Sequence, residues 1–150
     1  MDFINFRIVD CGIEMAGTTL DLHDRLQLRR QSHDVEALRL ELTFAGTTYI
    51  PTASPGVSGN AVDDEVTLIF EEVGYLRAQH SPHQKRPGDA PSLLEFVRFS
   101  ECGEVLGDFA AHDERRDLSH AYYLCFTAGL ELLVEAARVR AQWRRSARAE

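Results

Sequence analysis

The chain has 150 residues and a mass of 16.9 kDa, which is the size of a single domain. Its 44% hydrophobic and 27% charged residues are typical of a globular protein and exclude a disordered chain, a coiled coil and a collagen-like repeat. The formal net charge of −8 is unevenly distributed, with +4 in residues 138–150 and −12 in residues 1–137, and an acidic body of this kind argues against nucleic-acid binding.

Alternation of apolar and polar residues dominates the chain, and a period of two is typical of strands with one buried face. The clearest case is the segment 38–44, in which every even position is apolar. In chain order, the pattern predicts strands at 3–9, 18–28, 38–50, 66–77, 93–100, 104–110, 121–127 and 130–137. The polar, proline- or glycine-containing stretches 51–64, 79–92 and 111–120 are predicted to be long loops.

Short strands with little room for crossover helices favour a mainly β fold, a single antiparallel sandwich or barrel over residues 1–137. Residues 138–150 form an Arg-rich C-terminal segment. Its composition suits a helix or a strand, so a C-terminal helix, with an α+β fold, is an open alternative. The arginines of this segment are either solvated, or in contact with an acidic partner or with the protein's own acidic body.

Neither a membrane span nor an export signal is expected, because the chain has no apolar run of about 20 residues and no basic segment followed by an apolar one at its start. We therefore predict a cytoplasmic protein. Cys11, Cys102 and Cys125 are odd in number and form no C-x-x-C pair, so they are expected to be reduced thiols. The sequence also lacks G-x-S-x-G, P-loop and G-x-G-x-x-G motifs, which leaves enzymatic function uncertain and favours a binding protein.

Acidic residues bracket the apolar run 66–70. Such residues are normally solubilising, but they can also form a docking surface for a basic protein, with aromatic side chains as anchors. Tyr49, Tyr75 and Phe109 are candidate anchors. The residues predicted to bind a partner are Asp63, Asp64, Glu65, Glu71, Glu72 and Tyr75.

Histidines are concentrated in the predicted loops. If strand direction reverses at every connection, the segments 29–37, 78–92 and 111–120 lie at one end of the sheet and bring five of the six histidines there. Imidazole nitrogens are common ligands of divalent transition metals. The alternative function is therefore metal binding or metal-assisted hydrolysis through His80, His83, His112 and His120, and otherwise these are solvated side chains and no cofactor is expected.

Two short patterns resemble a known group of proteins. These are Val66-x-Leu68-x-Phe70-x-x-Val73 and Tyr123-x-Cys125-x-x-Ala128-Gly129-x-Glu131-Leu132. Their spacing resembles small β-rich bacterial proteins, among them immunity proteins that neutralise polymorphic toxins. The resemblance implies a small acidic cytoplasmic protein that occludes a basic toxin, and it carries over no site residue. A homodimer formed through an exposed strand edge is a third expectation.

Overall fold

The structure is a computed structural model that describes residues 1–10, 12–50, 59–80, 90–101 and 117–147. These residues form ten strands and one short 3-10 turn at Phe99–Glu101. The strands are β1 (Asp2–Phe3), β2 (Arg7–Val9), β3 (Gly12–Met15), β4 (Thr18–Asp21), β5 (Gln27–Asp34), β6 (Arg39–Ile50), β7 (Asn60–His80), β8 (Leu93–Arg98), β9 (Tyr122–Phe126) and β10 (Leu130–Ala147). No helix in the described ranges has the length and apolarity needed to cross a bilayer.

The strands form two sheets. The larger has the order β5-β6-β7-β10-β9-β8, and β1 pairs in parallel with β10 beside it. The smaller consists of β2, β3 and β4. All other pairings are antiparallel, so the mainly β antiparallel fold predicted from the sequence is confirmed.

The larger sheet is curled but does not close into a barrel. Its two ends are joined by only two main-chain hydrogen bonds among the described residues: the Leu28 amide donates to the Pro91 carbonyl at 2.7 Å, and the Leu93 amide donates to the Leu22 carbonyl at 3.0 Å. The smaller sheet contributes Ile13 and Leu20 to the same hydrophobic core. The arrangement is therefore sandwich-like, with one curled sheet covered by a smaller one.

The main core lies on the inner face of the curled sheet, because strand alternation points every second apolar side chain to that face. In β6, β7 and β10 the inward side chains are Leu40, Leu42, Phe44, Val66, Leu68, Phe70, Val139 and Ala141, all at most 2% exposed. Further along the sheet the alternation is interrupted. In β7 two residues, not one, lie between the inward side chains of Phe70 and Val73, and in β10 two lie between those of Ala136 and Val139. The register shifts nearby, and Glu72 has a φ of 55°. The irregularity changes which positions face inward, so the two halves of the sheet have different outer faces.

Several strand predictions are wrong in their bounds. The predicted strand 3–9 consists of β1, which pairs with β10, and β2, which belongs to the smaller sheet. The predicted strand 18–28 consists of β4 and β5, which belong to different sheets. Asp21 causes the break, because its carboxylate accepts hydrogen bonds from the amides of His23 and Asp24, both at 2.8 Å, and forms a turn. β7 also extends well beyond the predicted 66–77.

The open question of the Arg-rich segment is answered by β10, which continues through residues 138–147 as a strand and not as a helix. Its alternating side chains explain this, because Val139 and Ala141 are buried while Arg138 is exposed. The predicted strand 104–110, together with Phe109, lies outside the described residues.

Candidate functional site

A groove lies at the end of the sheet where β6, β7 and β10 extend beyond β5. β5 pairs with β6 only as far as Ala45, whereas β6 continues to Ile50 with β7 and β10 beside it. The register places Glu65 between Ala45 and Arg144, and Asp63 between Thr47 and Ser146. Because directly paired residues share a face, all of these side chains lie on the outer face.

The groove has a volume of about 800 Å³. Its lining residues are Arg29, Ala45, Gly46, Thr47, Asp63, Asp64, Glu65, Arg144, Arg145 and Ser146. Asp63 and Glu65 are both exposed, and the Thr47 hydroxyl donates a hydrogen bond to Asp63 at 2.8 Å. Tyr49 follows on the same face, and 62% of it is exposed. The groove therefore presents two accessible carboxylates beside an accessible aromatic ring.

Asp64 has a different environment from its two acidic neighbours. It points to the inner face, is 2% exposed, and accepts hydrogen bonds from Trp143 Nε1 at 2.9 Å and from Arg145 Nε and Nη2 at 2.8 and 2.9 Å. The Arg145 guanidinium also lies 4.7 Å from the centre of the Trp143 ring. Burial alone raises the pKa of Asp64, but the hydrogen bonds from Arg145, Trp143 and Thr48 and the charge of Arg145 outweigh it, so this pKa is lowered. Asp64 therefore stabilises the fold.

Glu71 and Glu72 are engaged by the Arg-rich strand. Arg138 Nε donates to Glu71 at 2.7 Å, Arg140 Nε donates to the other oxygen of Glu71 at 3.2 Å, and Arg138 Nη2 lies 3.4 Å from Glu72. The hydrogen bond from Arg140 is the main cause that lowers the pKa of Glu71, and Arg138 adds to it. Of the alternatives for these arginines, contact with the protein's own acidic body is the one found here.

Tyr75 packs at the edge of a second, smaller hydrophobic cluster on the outer face of the other half of the sheet, around Tyr123 and Leu133. It lies well away from the groove along β7, beyond the irregularity at Glu72. The structure thus separates the six predicted partner-binding residues into an exposed pair in the groove, a buried carboxylate, two carboxylates paired with arginines, and a half-buried ring.

The second cluster contains a polar network that sequence reasoning missed. The Tyr123 hydroxyl donates to Glu131 at 2.8 Å, and the Gln79 amide donates to the other oxygen of Glu131 at 2.5 Å. Burial, and then the hydrogen bond to Glu131, raise the pKa of Tyr123 far above its ordinary value. Burial and the carboxylates of Glu131 and Glu95 also raise the pKa of Cys125, although the neighbouring Tyr123 acts in the opposite direction. A thiol in this environment is kept protonated, which is the opposite of nucleophile activation.

The described histidines lie at different levels of the sheet. His33 pairs with Leu40, which in turn faces Phe70, and His80 lies ten residues further along β7, roughly 30 Å away. The predicted loop 29–37 is wrong in its bounds, because residues 29–34 belong to β5. His33 still lies beside the turn that joins β5 to β6, and it is distant from His80 because β7 continues well beyond this turn. His120 lies in the turn before β9. Because β8 and β9 are antiparallel, with Leu93 paired with Phe126 and Arg98 with Tyr122, the described residues before β8 and before β9 lie at opposite ends of this pair. The expectation that the segments 78–92 and 111–120 share one end is therefore wrong.

His83 and His112 are outside the described residues. Within the described ranges, no group of three or more His, Cys, Asp or Glu side chains could hold a metal ion. The metal site therefore stays a prediction.

No protein-family model, curated protein or solved structure matches the chain significantly. The resemblance to immunity proteins likewise stays a prediction.

Proposed function

We propose that the protein is a protein-binding domain that recognises a basic partner at the groove between β6, β7 and β10. The observation that carries this proposal is the exposed ring of Tyr49 on the same face as the exposed carboxylates of Asp63 and Glu65. Tyrosine is among the residues that most often anchor a protein-binding surface, and polar side chains form the rim of such a surface. The proposed surface is smaller than the predicted acidic face, because Asp64, Glu71 and Glu72 are already engaged within the fold.

The local charges favour a partner with basic side chains. Within the described chain, Asp63 and Glu65 form no ion pair, whereas Asp64 is bound by Arg145. A lysine or arginine of the partner can therefore bind these carboxylates without displacing an internal contact. Arg29 and Arg144 line the same groove, and they offer a counter-charge to an acidic residue beside the basic one.

The net charge of −8 supports the same class of partner at longer range. A field of one sign accelerates encounter with an oppositely charged protein, and this acceleration weakens as salt screens the field. A cytoplasmic, immunity-type inhibitor that covers a basic toxin is one form of this function, as the sequence resemblance implies.

The test is the binding of a short synthetic peptide of alternating arginine and valine, measured by calorimetry at several salt concentrations. We expect binding that weakens with salt and is lost in the Asp63→Asn/Glu65→Gln variant. A peptide with glutamate in place of arginine is expected not to bind.

The matched control is Asp2→Asn/Glu36→Gln, which removes the same charge at two exposed positions away from the groove. Equal weakening in both double variants would show that only the net charge matters and would contradict the proposed site. Unchanged binding after substitution of the groove carboxylates would contradict it as well.

A further inference from the structure

Among the described residues, one edge of β10 has no neighbouring strand at its C-terminal end. On this edge β9 pairs with residues 131–134, and β1 pairs with Arg138 and Val139. The Asn5 side chain then takes the place of a further strand residue, since its amide donates to the Ala141 carbonyl at 2.8 Å and its oxygen accepts from the Ala141 amide at 2.8 Å. Beyond Ala141, the described chain supplies no main-chain partner on this side.

Strand geometry identifies the open groups. The main-chain groups of Val139 and Ala141 point to this edge, as their bonds to Ile4 and Asn5 show. Because the direction alternates along a strand, the amide and carbonyl groups of Trp143, Arg145 and Ala147 point the same way. Three alternate residues therefore present donors and acceptors that no described main-chain group pairs with, which is the arrangement that a further strand can join.

We propose that this edge binds the same edge of a second copy of the chain, so that two β10 strands pair antiparallel around a two-fold axis at Arg145. In this register Arg145 faces Arg145 of the second copy, and Trp143 of each copy faces Ala147 of the other. Each of these three pairs exchanges two main-chain hydrogen bonds. The inference rests on the strand edge and does not depend on the proposed basic partner.

Charge complementarity favours a second copy in this register. On the outer face, Arg144 lies opposite the neutral Ser146 of the second copy, and the next strand beyond it presents Asp63 of that copy. Each Arg144 then lies between Glu65 of its own chain and Asp63 of the second copy. At the axis, each Arg145 is already neutralised by its own Asp64.

The neighbouring register is disfavoured by the same contacts. A shift of one residue on each chain places Arg144 opposite Arg144, and like charges directly opposite are destabilising. It also places Ala147 opposite Ala141, whose main-chain groups are already bound by Asn5. Only the register centred on Arg145 avoids both conflicts while keeping three pairs.

The first test is disulfide trapping with two single variants, Arg144→Cys and Ser146→Cys. In the proposed register these positions face each other at a Cα separation of about 4.5 Å, which a disulfide can bridge. Two copies of the same variant bring their cysteines no closer than the diagonal distance of about 7–8 Å. We therefore expect covalent dimers when the two variants are mixed and oxidised, and much less with either variant alone or with the wild type, which controls for the native cysteines.

The second test is the dimer dissociation constant, measured by sedimentation and by the emission of the single tryptophan, Trp143, over concentrations up to roughly millimolar. Ser146→Glu places a carboxylate opposite Arg144 twice per dimer and is expected to tighten the dimer by about 2-fold to 30-fold, although it increases the net negative charge. Ser146→Arg is expected to weaken it by a similar factor. Thr19→Glu, at an exposed position on β4, is the control for net charge.

Efficient trapping of the mixed variants together with opposite effects of the two Ser146 variants would support the dimer. A monomer at every concentration would overturn the proposal, as would equal trapping in the mixed and single samples. Loss of basic-peptide binding would leave this inference untouched, because neither test uses the peptide.

Discussion

The Asp64 carboxylate is surrounded by donors from β10, and both of its oxygens are used by Arg145 while Trp143 shares one of them. Its position was recognisable in the sequence, because Val62, Asp64 and Val66 are in phase with the apolar side of β7. The run of three acidic residues at 63–65 obscures this phase, because only the middle one faces inward. The identity of the buried partner was not predictable, since it depends on the pairing of residues 81 positions apart.

Replacing Asp64 is expected to destabilise the protein through the buried donors that lose their acceptor. We expect Asp64→Asn to lower the free energy of unfolding by about 1–3 kcal/mol in urea denaturation. Asp63→Asn is the control, because this neighbour is exposed and such a change usually costs less than about 0.5 kcal/mol. Equal losses in the two variants would contradict the role assigned to Asp64.

Tyr123 is expected to make the stability of the folded protein depend on pH in the alkaline range. Because burial raises its pKa in the folded state, the unfolded chain releases the tyrosine proton near pH 10 while the folded protein retains it. The stabilisation is thus complete below pH about 10 and decreases as the pH rises above it, by at most about 1.4 kcal/mol per pH unit. We expect Tyr123→Phe to show a shallower alkaline decrease in thermal stability than the wild type.

Tyr49→Phe serves as the comparison for that measurement, since most of this side chain is exposed. Parallel alkaline profiles for the wild type and Tyr123→Phe would show that the phenol of Tyr123 does not cause the dependence.

The sequence predicts a strand most accurately where buried and exposed residues alternate without interruption. β6 was predicted well because Leu40, Leu42 and Phe44 alternate without interruption. β7 was predicted too short because the irregularity between Phe70 and Val73 changes the inward phase. The C-terminal part of β10 was ambiguous because outward arginines fit the exposed side of a helix and of a strand equally well. Its strand conformation is determined by its pairing with β7. This is a long-range contact that a local sequence pattern does not indicate.

The close approach of the segment before β5 to β6 requires a glycine at position 46. A Cβ atom there would lie 2.0 Å from the Arg25 carbonyl oxygen, which belongs to the backbone and has little freedom to move. We expect Gly46→Ala to lower the free energy of unfolding by about 1–3 kcal/mol or more.

Gly74→Ala is the matched change, because a Cβ atom at position 74 meets nothing within 4 Å. We expect this variant to be neutral or slightly stabilised, since alanine restricts the unfolded chain. Thermal unfolding of the two variants compares them directly. Similar losses at both positions would show that the approach of Arg25 is not the cause.

The Arg-rich strand β10 belongs to the core as much as to the surface. Val139 and Ala141 are at most 2% exposed, and β10 is the central neighbour of β7, β9 and β1. We expect deletion of residues 138–150 to abolish cooperative thermal unfolding, measured by circular dichroism. Arg138→Gln/Arg140→Gln, which removes only the charges of this strand near Glu71, is expected to retain a cooperative transition.

If the deletion variant still unfolds cooperatively, the strand would be an accessory to the fold and this assignment would be wrong.

The sequence could predict the fold class but not which loops lie together, because that depends on knowing every strand boundary and direction. His120, for example, precedes Tyr122 at the start of β9, whereas His80 lies level with the other end of β9, near Cys125.

The pairing of the first strand with the last has a consequence for how the chain reaches its native state. Asn5 and Ala141 are 136 positions apart, and the carboxamide of one satisfies the backbone of the other. During synthesis Asn5 therefore cannot form this contact until residue 141 has left the ribosome. Such high contact order corresponds to folding on the scale of about milliseconds to seconds, and the aromatic side chains of the first residues are exposed to solvent until then.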